Sequence, residues 1–203
     1  MIAPCRCLAP LVLTLLASVA LAAPPPPHAQ AEADVPATWA FTAPLLIIEA
    51  EAGSGGWERI ETSGTPAIRA TKDASMRYLV SFASPGTYSL HLRCHQAKGT
   101  PGPDGKPLPG HSTNDVRVTV GGAPLYGVDG TTRPVGMRCH SDTLRWWSLP
   151  KGPGGHTPEP IKEHPVHFHI PSAGTYTVQL AYRSPGMVID RLAITTSPAG
   201  PTD

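Results

Sequence analysis

The sequence has almost no excess of charge, a single long apolar run and few cysteines, and each shortage excludes a class of protein. Its 203 residues include 16 Lys plus Arg against 15 Asp plus Glu. So balanced a chain has no long-range field to gather a polyanion, which excludes nucleic acid or an anionic membrane surface as the main partner. The one apolar run, from Leu8 to Leu21, is shorter than the roughly 20 residues a spanning helix needs. It passes into Pro24-Pro25-Pro26-Pro27, which cannot continue a helix, and nothing later in the chain could cross a bilayer.

Arg6 before that run and Ala20-Leu21-Ala22 after it give the form of a secretory signal, with cleavage expected after Ala22. The expected location is therefore secreted, periplasmic or extracellular. Cys5 and Cys7 precede the run and leave with it, whereas a lipid-modified cysteine would follow it. Cleavage removes Arg6 and no acid, so the mature chain holds 15 basic and 15 acidic residues. A neutral partner suits it. Two cysteines remain, Cys94 and Cys139, in a compartment where disulfides persist. A bridge between them is expected and would contribute roughly 4 kcal/mol by loop closure. Two buried free thiols, or a pair too far apart, are the alternatives.

A sustained apolar helical period is also missing. After an Ala/Pro-rich leader, residues 23–44, short segments follow one another between Gly, Pro, Asn and Asp clusters, the pattern of an all-β protein. The expected strands are Leu46–Ala50, Ala67–Thr71, Met76–Phe82, Gly86–His95, Asp115–Val120, Thr143–Leu149, Val166–Ile170, Gly174–Tyr182 and Met187–Thr195. About 150 residues carry this pattern, enough for one domain and too few for two. Thr87–Leu92 and Thr175–Leu180 alternate with period two, so each strand should keep one wet side, as in a β-sandwich. The two strands open on nearly the same words. Phe82-Ala83-Ser84-Pro85-Gly86-Thr87-Tyr88 and Ile170-Pro171-Ser172-Ala173-Gly174-Thr175-Tyr176 lie 88 positions apart. A turn glycine followed by a tyrosine that enters the core with its hydroxyl at the rim is a repeated structural device, fitting two equivalent strands of a jelly roll. Three long Gly/Pro-rich connections, 95–114, 121–142 and 150–165, are where binding residues are expected.

Several motifs stand in a telling order: Ile48-Glu49-Ala50-Glu51, then Ser84-Pro85-Gly86-Thr87-Tyr88, His111-Ser112-Thr113-Asn114-Asp115-Val116-Arg117-Val118, Trp147, Ala173-Gly174-Thr175-Tyr176, and Arg183-Ser184-Pro185-Gly186-Met187-Val188-Ile189-Asp190-Arg191-Leu192. In that order the chain resembles carbohydrate-binding modules of families 6 and 35, especially those attached to agarases and related polysaccharide hydrolases. The resemblance spans residues 45–196 and leaves 197–203 as a tail. It implies a galactose-binding-like β-jelly-roll that binds a polysaccharide or other glycan through its loops or one concave face, often with one structural calcium. A monomer is expected.

For the calcium, Glu49 and Glu51 would share one side of a strand and Asp190 would come from the closing strand. Three carboxylates with backbone carbonyls would suit a cation that takes six to eight oxygens. Otherwise Glu49 and Glu51 face water and Asp190 pairs with Arg191 or Arg183. For the glycan, Trp146 and Trp147 are adjacent, so on a strand one faces in and the other offers a stacking platform. The resemblance implies that Trp147 matches the usual tryptophan. It also implies that Asn114 and Asp115 match an Asn-Asp of the agarase-associated modules; otherwise these two simply start a strand. The chain departs from the pattern at 64–70, which lacks the aromatic of the sugar cleft, and at Met187-Val188, where an asparagine often stands.

Catalysis has little support. No Ser-centred nucleophile elbow is present and no pair of acids is singled out for glycoside hydrolysis. Nine histidines, with His164, His167 and His169 close together and the triplets Arg93-Cys94-His95 and Arg138-Cys139-His140, leave a zinc or copper site as a second reading. A cell-envelope interaction domain without sugar binding is a third.

Overall fold

The computed structural model describes residues 37–42, 44–97, 99–102, 104–109, 112–125, 136–151 and 166–202. The proposed signal segment 1–22, most of the leader, His164 and large parts of the second and third long connections lie outside the described residues. In chain order the strands are β1 (Thr38–Phe41), β2 (Leu45–Glu49), β3 (Ser54–Gly55), β4 (Glu58–Thr62), β5 (Thr65–Arg69), β6 (Ser75–Phe82), β7 (Gly86–Gln96) and β8 (Asp115–Val120). They continue with β9 (Ala123–Pro124), β10 (Gly136–Arg138), β11 (Arg145–Trp147), β12 (Leu149–Lys151), β13 (His167–Ile170), β14 (Gly174–Tyr182) and β15 (Met187–Thr195). Helical geometry among the described residues is confined to 3-10 turns, of which Ala50–Ala52 is the one described whole. No described helix is long and apolar enough to cross a membrane.

Two sheets form a β-sandwich. The first runs β1-β6-β14-β8-β10-β12 and the second β11-β7-β15-β5-β4, with β13 also on β7 and β2 also on β15. The period-two pattern explains the facing. On β6, Met76, Tyr78, Val80 and Phe82 are buried while Arg77 between them is exposed. Val116, Val118 and Val120 of β8 and Val178 and Leu180 of β14 complete that inner face, against Leu90, Leu92, Ile189, Leu192 and Ile194 of the second sheet.

The tyrosine device is built twice as expected. The Tyr88 hydroxyl donates to the Ser84 carbonyl at 2.8 Å and the Tyr176 hydroxyl to that of Ser172 at 2.9 Å. Each ring thereby closes the turn that precedes its own strand.

Two expectations change. The leader does not extend to residue 44, because Thr38–Phe41 is a parallel edge strand on β6, with Phe41 aligned to Phe82. Phe41 is buried and Trp39 packs against the core, so these aromatics give a four-residue strand enough apolar area to dock. The second change concerns the wet side, which β15 and part of β7 lack. Val188, Ala193 and Thr195 on the outer face of β15 are buried, as are Ser89 and His91 on β7. Two segments lie over them. The tip of the β4–β5 hairpin reaches His95, where Thr62 Oγ1 and His95 Nε2 are 3.2 Å apart. The backbone of the C-terminal tail lies on His91, so closely that a Cβ at Gly200 would sit 2.6 Å from His91 Nδ1.

Burial pushes the His91 pKa down to about 4. A folded-state pKa below the unfolded value near 6.5 means that acid favours the unfolded chain. Stability should be fully present above pH 6.5 and fall between pH 6.5 and about 4. Urea midpoints measured across that window should decline, and His91→Leu should flatten the decline; an equal decline in the variant would assign it to other groups.

Candidate functional site

Register brings four side chains into one row on the outer face of the second sheet. Trp146 on β11 lies opposite Arg93 on β7, Arg93 opposite Arg191 on β15, and Arg191 opposite Glu49 on β2. Directly opposed residues have Cβ atoms about 5 Å apart, so the row is continuous across four strands. A β-bulge between Ile189 and Arg191 inserts Asp190 beside it. Arg93 Nη1 donates to Asp190 Oδ2 at 2.5 Å, and Arg191 Nε lies 3.8 Å from the same oxygen. Arg191 Nε also lies 3.0 Å from both carboxylate oxygens of Glu49. Asp190 is fully buried, whereas the Arg93, Arg191 and Glu49 side chains are 23%, 37% and 47% exposed. Along β7 the row is flanked by His91, under the tail, and by His95, under the hairpin tip. Between them the strip offers a half-exposed indole and polar groups already fixed in place by ion pairs.

The two tryptophans divide as alternation requires. Trp147 faces inward opposite Leu92, packs against the core and meets the His140 ring edge-on at 6.0 Å between centroids. Its Nε1 is buried without a hydrogen-bond partner. Trp146, not Trp147, is the one on the outer face.

Asn114 and Asp115 are not part of this strip. Asp115 opens β8 in the other sheet with Asn114 just before it, and both are buried. Asp115 Oδ2 lies 3.2 Å from Arg183 Nε, and its other oxygen accepts from the Ser184 hydroxyl. The Asn114 carbonyl accepts from the Cys139 amide at 3.0 Å. This is the bland alternative, a strand start, with its carboxylate neutralised internally.

The three carboxylates expected around calcium are not brought together. Among the described residues no three His, Cys, Asp or Glu side chains gather where they could hold a metal. Glu49 ends β2 and the chain then turns into 3-10 geometry, so Glu51 does not continue the strand's alternation. Glu49 is turned to Arg191 and Asp190 to Arg93, while Arg59 Nη2 takes the backbone carbonyls of Glu51 and Gly53 at 3.2 and 3.4 Å. Glu51 Oε2 and Asp190 Oδ1 are each buried without a hydrogen-bond partner, but guanidinium groups hold the Glu49 carboxylate and Asp190 Oδ2, and the set as a whole does not fit a calcium ion.

Cys94 and Cys139 are not bridged in this structure; both are free and buried. They are nonetheless neighbours, and burial first, then the contact with Cys139, raises the Cys94 thiol pKa. The histidines of the two triplets leave them: His95 is on the opposite face of β7 and His140 is exposed beside Trp147. His167 and His169 do share a face of β13, opposite Ser89 and Thr87.

Arg93 and Arg191 are the site residues that sequence reasoning passed over. The signal available for Arg191 was its place next to Asp190. For Arg93 it was the one Lys, Arg, Asp or Glu on the polar side of an alternating strand.

No family model and no curated protein matches the chain. Among solved structures it is similar to a family 35 carbohydrate-binding module from Clostridium thermocellum, at 16% identity over 76% of this chain and 100% of that one, with a TM-score of 0.44. It is similar to a family 6 module from Clostridium stercorarium solved with cellobiose, at 17% identity over 80% and 100%, TM-score 0.44. It is also similar to the C-terminal family 6 module of a laminarinase from Zobellia galactanivorans, at 18% identity over 75% and 99%, TM-score 0.43.

Proposed function

We propose that this chain is an exported, non-catalytic protein that binds a polysaccharide or other glycan on the outer face of its second sheet. The observation that carries the reading is the row Trp146, Arg93, Arg191 and Glu49. An indole offers a rigid flat surface for the apolar face of a sugar ring. Guanidinium and carboxylate groups alongside it donate to and accept from hydroxyls, and their ion pairs already hold them, so binding orders little. The motif resemblance to families 6 and 35 supports the same reading, and Met1–Ala22 as a signal segment would deliver the protein outside the cell. Hydrolysis would need an acid free to protonate a leaving oxygen. Glu49 and Asp190 are each held by an arginine, which supports binding without catalysis.

The test is retention on insoluble and immobilised polysaccharides, neutral and mildly acidic, with wild type, Trp146→Ala and Trp147→Ala. Wild type should be retained by at least one. Trp146→Ala should bind it about tenfold more weakly with an unchanged melting temperature, while Trp147→Ala should lower the melting temperature. Equal binding by wild type and Trp146→Ala would sink this placement of the site. No retention on any glycan would favour the interaction-domain reading, for which Leu45 and Ile47, 41% and 43% exposed on the same face, are the specific support.

A further inference from the structure

We propose that Cys94, Cys139 and Met187 form a binding site for one monovalent copper ion, held by two thiolates and a thioether. The three side chains come from three segments and both sheets: Cys94 from β7, Cys139 from just after β10, and Met187 from the start of β15. All three are fully buried. The Cys139 thiol points at the Met187 sulfur across 3.7 Å, and the Cys94 thiol, which donates to the Leu92 carbonyl at 3.5 Å, neighbours Cys139. Cys94 is opposite Ile189, so Met187, two residues before it, occupies the same face diagonally across the ladder.

Three sulfurs around one ion at metal–sulfur lengths near 2.3 Å stand about 4 Å from one another, close to the 3.7 Å already present between Cys139 and Met187. The donor set selects the ion. Thiolates with a thioether are soft and favour Cu(I), whereas a structural zinc wants four nitrogen or sulfur ligands. No histidine joins the two thiols as a fourth ligand, since no group of three or more His, Cys, Asp or Glu that could hold a metal occurs among the described residues. Binding exchanges two S–H bonds for two Cu–S bonds, releases both protons to solvent and moves no electron, because the ion enters as Cu(I).

The test uses the full chain, reduced and handled without oxygen, titrated with Cu(I) in competition with a chromophoric Cu(I) chelator and with Ag(I) as a redox-inert substitute. One ion should bind per chain, with ultraviolet sulfur-to-metal absorption and protection of both thiols from alkylation. Cys139→Ala should abolish binding. Met187→Leu keeps the volume and apolarity of the site, so it should fold and keep both thiols while losing roughly tenfold or more in affinity. Absence of uptake by protein whose two thiols titrate in denaturant would overturn the proposal. So would unchanged affinity in Met187→Leu, or a Cys94–Cys139 disulfide that persists under the same reductant.

Discussion

Arg93→Ala should lower unfolding free energy by about 3 kcal/mol, the range for breaking a buried ion pair from one side. Asp190 has no exposed surface and its Oδ1 already lacks a partner. With Arg93 gone, the remaining cation is Arg191, 3.8 Å away and already engaged by Glu49. The charge would stay in a low-dielectric interior without enough compensation. The loss is expected in the urea midpoint with no change of slope. The double variant Arg93→Met with Asp190→Leu should recover most of it, since a buried pair exchanged for apolar groups of similar volume is close to neutral. If the double variant is as unstable as Arg93→Ala, the pair contributes something other than charge compensation. Because Arg93 and Asp190 also anchor the row, glycan retention by the double variant would separate the stability of the face from its chemistry.

Phe82→Ala should be still more damaging, at about 3–5 kcal/mol, against a total stability of about 5–15 kcal/mol. Phe82 is 1% exposed and its ring lies 4.8 to 6.0 Å from those of Phe41, Tyr88, Phe168 and Tyr176. These rings come from five strands and both sheets, so truncation opens a cavity that no single neighbour can fill. Phe41 belongs to β1, which among the described residues has only β6 as its ladder partner. Detachment of β1 is therefore the expected first consequence, readable as early loss of amide protection at Thr38–Phe41. Phe82→Leu should cost far less, and equal effects of the two variants would argue against a cavity as the cause.

The periodicity of Thr87–Leu92 and Thr175–Leu180 announced strands because alternation is local: an extended chain has no other way to bury every second residue. For the same reason the expected bounds of β8, β14 and β15 coincide with those observed. β4 escaped notice because Glu58-Arg59-Ile60-Glu61-Thr62 contains one apolar residue, and its burial comes from folding onto β5. β1 escaped because the Ala/Pro composition before it masks a strand whose ladder partner, β6, begins more than thirty residues later.

By itself the sequence determined the fold class, the opposite facing of Trp146 and Trp147, and the repeated turn that leads a tyrosine into each of two strands, all consequences of backbone period and turn chemistry within a few residues. Only the tertiary structure decided which residues share a site. Trp146, Arg93, Arg191 and Glu49 meet through three ladders joining segments far apart in the chain, and Asp190 reaches Arg93 only because of a bulge. Register and bulges are set by how two whole sheets pack, and that information is spread over the entire core, not written beside any one residue.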